Sequence, residues 1–226
     1  MAEKFGASFQ FKIMIEIKYI DDKGNKAKRT VPNSWEELSL AQVIKISAIS
    51  SDNVIELFSI ITGIPAAVPE NSTDKKLEEN IWKVVAFIGD PPKWKDLKAP
   101  SKLVLGVDAH LVPKRFNKLM IGQKIMIAQC VRKVEDMIEQ MPKILAVIFQ
   151  PIIDKDINEG RFNSDRIDEI AGQMLGVNGI SGYAISSSFF LRSKILKSYG
   201  IQGLSEYLNK PRQTKKPLRN WLTSNA

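Results

Sequence analysis

Val31-Pro32-Asn33-Ser34-Trp35-Glu36-Glu37-Leu38-Ser39-Leu40-Ala41-Gln42 is where a small β-element hands over to a helical body. Pro32 has no N–H for a strand ladder and ends the strand. Ser34 is placed to cap the next element. Glu37, three residues on, completes a capping box, in which a hydroxyl and a carboxylate satisfy orphan helix N–H groups reciprocally. Upstream, residues 9–19 alternate apolar and polar, from Phe9 and Phe11 through Ile13, Ile15 and Ile17 to Tyr19. A period of two marks a half-buried strand. Asp21-Asp22-Lys23-Gly24-Asn25 reads as a turn and Lys26 to Val31 as the returning strand. An isolated hairpin is marginal in water. It is expected to pack on the helices, to dock on a partner, or to gain a third strand, for which residues 102–107 are the best internal candidate.

Downstream, Ser39 can cap a helix to about Ser50. Asp52 or Asn53 can open another from Val54 to Thr62, stopped by Gly63 with Pro65 beyond. Thr73 or Asp74 opens a third, through Leu77, Ile81, Val84, Val85 and Ile88. Three prolines make residues 89–101 irregular. The longest helix is expected after Pro113, with Met120, Ile127, Val131, Val134, Ile138 and Met141 on one stripe. Pro142 should end it after about 26 residues, on the order of 39 Å. A short apolar helix from Lys143 to Phe149 should stop before Pro151. Helices over Ser164–Leu175 and Tyr183–Lys197 come next, and Leu204 to Asn209 offers a last turn. There is also an internal echo: Leu38, Gln42, Ile44 and Ile46 recur as Leu119, Gln123, Ile125 and Ile127. Duplication and a chance match of apolar helix patterns both account for it.

The chain has 226 residues, enough for a real core, and a formal charge of +8. No run approaches the ~18 apolar residues of a bilayer crossing, and the N-terminus lacks the apolar stretch of a secretory signal. One cysteine excludes an internal disulfide framework. The surplus charge gathers in Lys23–Arg29 and Lys210–Arg219, which suits an acidic partner or simply keeps the surface solvated.

Catalytic patterns are nearly absent. His110 stands alone, with no nucleophile or orienting partner near it in sequence. Cys130 falls among Ile127, Ala128 and Val131, the setting of a small buried hydrophobe. Asp154, Asp156, Asn158 and Asp165 mimic a calcium loop. However, Glu159 holds the place that needs glycine, and Asp165 is shorter than the usual bidentate Glu, so an ordinary polar loop is expected. No phosphate-binding glycine loop, zinc signature or nucleophile elbow occurs. The expectation is therefore no enzyme, no cofactor, no metal, no small-molecule substrate and no membrane. In the C-terminal stretch, Lys210, Arg212, Lys215, Lys216 and Arg219 stand with two prolines and no acid, and Trp221 supplies an apolar anchor. That composition favours an extended arm lying on a neighbouring subunit or across phosphates. A solvated tail is the plainer reading.

The Val31–Gln42 hand-over resembles the entrance of small, mostly helical proteins of tailed phages of Bacteroidetes hosts, including crAss-like podophages. Ile61-Thr62-Gly63-Ile64, the apolar run ending in Gln150-Pro151, and Phe189-Phe190-Leu191 add to the resemblance. It implies a virion structural subunit, made in the bacterial host cytoplasm, that forms or joins an oligomeric ring at the neck or tail. Its partners would be copies of itself and portal, adaptor or other tail proteins, with non-specific DNA contact at most. The alternatives are a tail-assembly chaperone for the tape-measure protein and a basic DNA-binding accessory protein. The fold expected is α+β, mainly α: a hairpin arm (1–31), a helical body (32–209) and a basic C-terminal arm (210–226). Contacts are expected through Phe11, Ile13, Ile15 and Ile17 by the strand edge, and through Lys210, Arg212, Lys215, Lys216, Arg219 and Trp221 by the arm.

Overall fold

The computed structural model describes residues 15–192, except residues 22, 51, 114–118 and 131–137, and gives only the backbone at 95 and 190–192. Strands β1 (Ile15–Ile20) and β2 (Lys26–Val31) pair antiparallel, Ile15 opposite Val31 and Ile20 opposite Lys26. Asp21 closes their turn: its Oδ1 accepts from the N–H of Lys23 at 2.9 Å and of Asn25 at 2.8 Å. Gly24 takes the left-handed corner at φ +81°, where only glycine is unstrained.

After β2, Trp35–Glu37 make a single 3-10 turn. The capping box is not at Ser34, whose side chain caps nothing; Glu37 Oε2 instead accepts from the Asn33 N–H at 3.0 Å. Leu38 is extended and separates this turn from the first helix, so the box forms one step later. Ser39 Oγ accepts from Gln42 N–H at 3.3 Å, and Gln42 Oε1 from Ser39 N–H at 2.9 Å, opening α1 (Leu40–Ala48). Asn53 caps α2 (Val54–Thr62), which Gly63 ends at φ +68°. A short α3 (Ala67–Glu70) leads to α4 (Lys75–Val85), capped by Asp74. Ile17 and Val31 turn inward, and the hairpin packs on α2 and α4. Arg29 Nη1 adds a 2.8 Å bond to the Gly63 carbonyl, a cation where helix carbonyls lack donors.

Residues 102–107 supply no third strand to that hairpin. Strand β3 (Lys102–Leu105) pairs with β4 (Asp108–Leu111) in a separate two-stranded sheet. Gly106, at φ +61°, turns the chain straight back on itself, so the nearest partner wins.

The long helix is also corrected. Helix α5 is Ile121–Cys130, and Ile138–Gln140 is a turn; the expected positions Val131 and Val134 lie outside the described residues. Pro142 lies at the start of α6 (Met141–Ile153), where a missing N–H removes no helical bond. Helix α6 runs on through Pro151, the residue expected to stop it. Gln123 explains why: its Nε2 donates to the Val147 carbonyl at 2.6 Å, the acceptor that Pro151 leaves without a helical donor. Nearly every residue from Met141 to Pro151 is buried, the mark of a central helix. Around it pack α5, α8 (Ile167–Met174) and α9 (Gly179–Arg192), with a short α7 (Lys155–Asn158) between α6 and α8. The expected run of the last helix to Lys197 and the turn at 204–209 lie outside the described residues.

The chain is thus α+β and mainly α, with two apolar cores among the described residues. One joins the first hairpin to α1, α2 and α4; the other surrounds α6 and takes in Leu103 of β3 and Leu40 of α1. Among the described residues the order hairpin, helix, helix, short helix, helix occurs twice.

Candidate partner-binding surfaces

Of the residues expected to meet a partner, Ile15 and Ile17 are described; Phe11, Ile13, Lys210, Arg212, Lys215, Lys216, Arg219 and Trp221 lie outside the described residues. Ile17 is fully buried and Ile15 half-buried against the same core. Contact at Ile17 would therefore fall to its backbone. The opposite face of the hairpin is solvent-exposed and carries Glu16, Lys18, Ile20, Lys26, Lys28 and Thr30. Lys18 stands directly opposite Lys28, and Glu16 pairs with Lys28 at 3.2 Å. Facing like charges are unfavourable, and one carboxylate does not balance three lysines. This face suits an acidic surface.

Exposed apolar side chains at two further places were not foreseen. On the outer side of the β3–β4 hairpin, Val104 and Leu111 are exposed, and Val107 at its tip is 99% exposed. Leu103, on the inner side, is buried. On α5, Ile121 and Ile125, one helical turn apart on one side, are 75% and 46% exposed. The stripe read from the sequence catches the inward Ile127 and Met141 and passes over these two. Strand β4 went unread because Asp108–Leu111 is too short to show alternation. The available signal was Gly106-Val107 between two short apolar runs.

The other singled-out residues have structural surroundings. Asp154, at the head of the calcium-like loop, is buried and bound by Gln150 Nε2 at 3.1 Å and by Arg166 Nε and Nη2, each at 3.3 Å. Burial works to raise its carboxyl pKa, but the bonds from Arg166 and Gln150 and the Arg166 charge outweigh it and hold the value down. Arg166 also bonds Glu169, and Lys143 pairs with Asp168 at 2.9 Å. Among the described residues no three His, Cys, Asp or Glu side chains gather as a metal site. His110 lies on β4 opposite Leu103. Cys130 is half-buried at the end of α5, and burial pushes its thiol pKa up, away from reactivity. No described helix is long and apolar enough to cross a membrane.

The hand-over motif proves to be a joint. Trp35 is buried edge-on to Phe87 and Trp94, its ring centre 6.1 Å and 5.4 Å from theirs, and its Nε1 donates to the Phe87 carbonyl at 3.0 Å. Asn178 Nδ2 donates to the Glu36 carbonyl at 2.6 Å, and Gly179 N–H to the Leu38 carbonyl at 2.8 Å. The motif thereby holds the start of α9. No protein-family model, curated protein or solved structure matches the chain.

Proposed function

We propose that this chain is a structural subunit of a tailed-bacteriophage virion, forming or joining an oligomeric ring at the neck or tail through contacts between subunits. The observation that carries the reading is the outward placement of Val104, Val107, Leu111, Ile121 and Ile125, apolar side chains outside both cores. Groups of exposed apolar residues mark protein–protein contact. The Lys18, Lys26 and Lys28 face supplies charge for an acidic neighbour. The motif resemblance supplies the phage setting, and the hand-over residues that carry it are architectural, as a non-catalytic subunit needs. Portal, adaptor or other tail proteins are the further partners. A tail-assembly chaperone for the tape-measure protein is the second reading, because it too needs accessible apolar surface.

Two measurements test this together: the native mass of the purified chain, and a protein census of mature particles from the host culture. A closed oligomer retained in particles is the expected result. A chain found in infected cells but missing from particles favours the chaperone. A monomer with salt-sensitive DNA affinity would support the basic accessory protein instead.

A further inference from the structure

The start of α9 is seated on the start of α1. Leu40 N–H donates to the Val177 carbonyl at 2.8 Å, Ala41 N–H to the Leu175 carbonyl at 3.0 Å, and Gly179 N–H to the Leu38 carbonyl at 2.8 Å. Leu40 is fully buried there, within the core that surrounds α6. The seat demands glycine, since a Cβ on Gly179 would stand 2.4 Å from Val43 Cγ2 and 3.1 Å from the Ser39 carbonyl.

The glutamine bonds at the opening of α1 recur at α5. Gln42 accepts from the backbone N–H of Ser39 at 2.9 Å and donates to the Ile60 and Ile61 carbonyls at 3.1 and 2.8 Å. Gln123 accepts from the N–H of Met120 at 2.9 Å and donates to the Val147 and Ile148 carbonyls at 2.6 and 3.3 Å. The repeated sequence is thus a repeated structure, and Ile121 is the counterpart of Leu40. Yet, among the described residues, Leu40 is fully buried while Ile121 is 75% exposed.

The sequence also holds a second version of the seated segment. Gly176-Val177-Asn178-Gly179-Ile180-Ser181-Gly182-Tyr183 returns as Gly200-Ile201-Gln202-Gly203-Leu204-Ser205-Glu206-Tyr207. Both glycines, the serine and the tyrosine are identical, and three further positions keep their chemical type. Only Glu206 for Gly182 departs. Gly203 matches Gly179, the residue that close approach requires.

We propose that residues 199–207 of one copy of the chain seat on the Met120–Ile125 face of α5 in a second copy, as residues 175–183 seat on α1 within one chain. A second copy is the source because the ring reading above joins like subunits through contacts of this kind. Donor segment and acceptor face are different surfaces, so the contact is head-to-tail and propagates into a ring when its rotation closes. The proposal rests on the ring reading above and names its contact.

The test places a photo-crosslinking amino acid at Ile121 of the full chain, prepared as an equal mixture of 14N- and 15N-labelled protein. The expected product is a covalent pair of chains whose joined peptide contains residues 199–207, in mixed-isotope form. Gly203→Val and Ile125→Glu should each cut that yield at least tenfold with unchanged helical circular dichroism. Crosslinks confined to one isotope would mean contact within a chain and would overturn the proposal. An oligomer whose Ile121 joins other peptides would sink this contact and leave the ring reading standing. A strictly monomeric chain would sink both. The mapped contact in a chain missing from particles would uphold the contact and remove the virion role.

Discussion

Gln123 and Val147 are joined by a 2.6 Å hydrogen bond from the side-chain amide of one to the carbonyl of the other. That bond substitutes for the N–H that Pro151 lacks, four residues beyond Val147. In the first half of the chain Gln42 likewise serves the Ile61 carbonyl, there an acceptor in the last turn of α2, which ends at Thr62.

Gln123→Leu should leave the Val147 carbonyl buried without a donor and destabilise the chain by about 1–3 kcal/mol. Restoring the backbone N–H by Pro151→Ala should make that loss smaller. Urea unfolding of the four-member cycle is expected to give a coupling of about 0.5–3 kcal/mol. Additive effects would show that Gln123 is not the substitute donor.

Two glycines should respond in opposite directions. Gly179→Ala drives a Cβ into Val43 and the Ser39 carbonyl and should lower the midpoint of thermal unfolding by several degrees. Gly172 is exposed on α8 with nothing within 4 Å of a built Cβ. Gly172→Ala should therefore raise stability by about 0.5–1 kcal/mol through helix propensity alone.

Asp154 predicts an acid limb. Its folded-state pKa lies below the ordinary carboxylate value because Arg166 and Gln150 overcome its burial. A lowered folded pKa gives stability that is complete above the unfolded value, near 3.9, and is lost as pH falls through the folded one. Asp154→Asn should cost about 1–3 kcal/mol at neutral pH and flatten the stability–pH curve below about pH 4. Chemical denaturation across the acid range measures both.

Lys18→Glu should improve the isolated chain and weaken its assembly. The new carboxylate would stand opposite Lys28, a gain of about 0.2–1 kcal/mol over facing like charges. If the face meets an acidic neighbour, the same change should raise the midpoint concentration of oligomer formation severalfold. Unchanged assembly would take this face out of the interface.

The local parts of this fold could be read directly. Asn53, Gly63 and Asp74 act within a few residues of where they stand, as do the turn Asp21–Asn25 and the period-two strand before it. The misreadings arose where the deciding partner is distant. Pro151 looks like a helix stop until Gln123, 28 residues upstream, supplies the donor. Ser34 and Glu37 have the spacing of a capping box, but extended Leu38 divides the turn from the helix. Ile17 shows as an alternating strand residue, yet only the packing of α2 and α4 reveals that its side chain is inward. The exposure of Ile121 is a property of tertiary arrangement, invisible in a helix whose neighbours are equally apolar.

The bond from Asn178 to Glu36 spans 142 positions, and this sets the order in which a nascent chain can settle. At bacterial synthesis speeds of ~5–20 residues per second, the ribosome needs on the order of ten seconds to deliver the α9 segment after Glu36 has been made. Throughout that interval the first core can form from residues 17–85, but Leu40 lacks the part of its cover that α9 and the segment before it supply. Translation that terminates before residue 175 should thus yield stubs with the first core formed and the Leu40 edge of α1 unseated, and slowing the codons just upstream would lengthen the time that edge stays open.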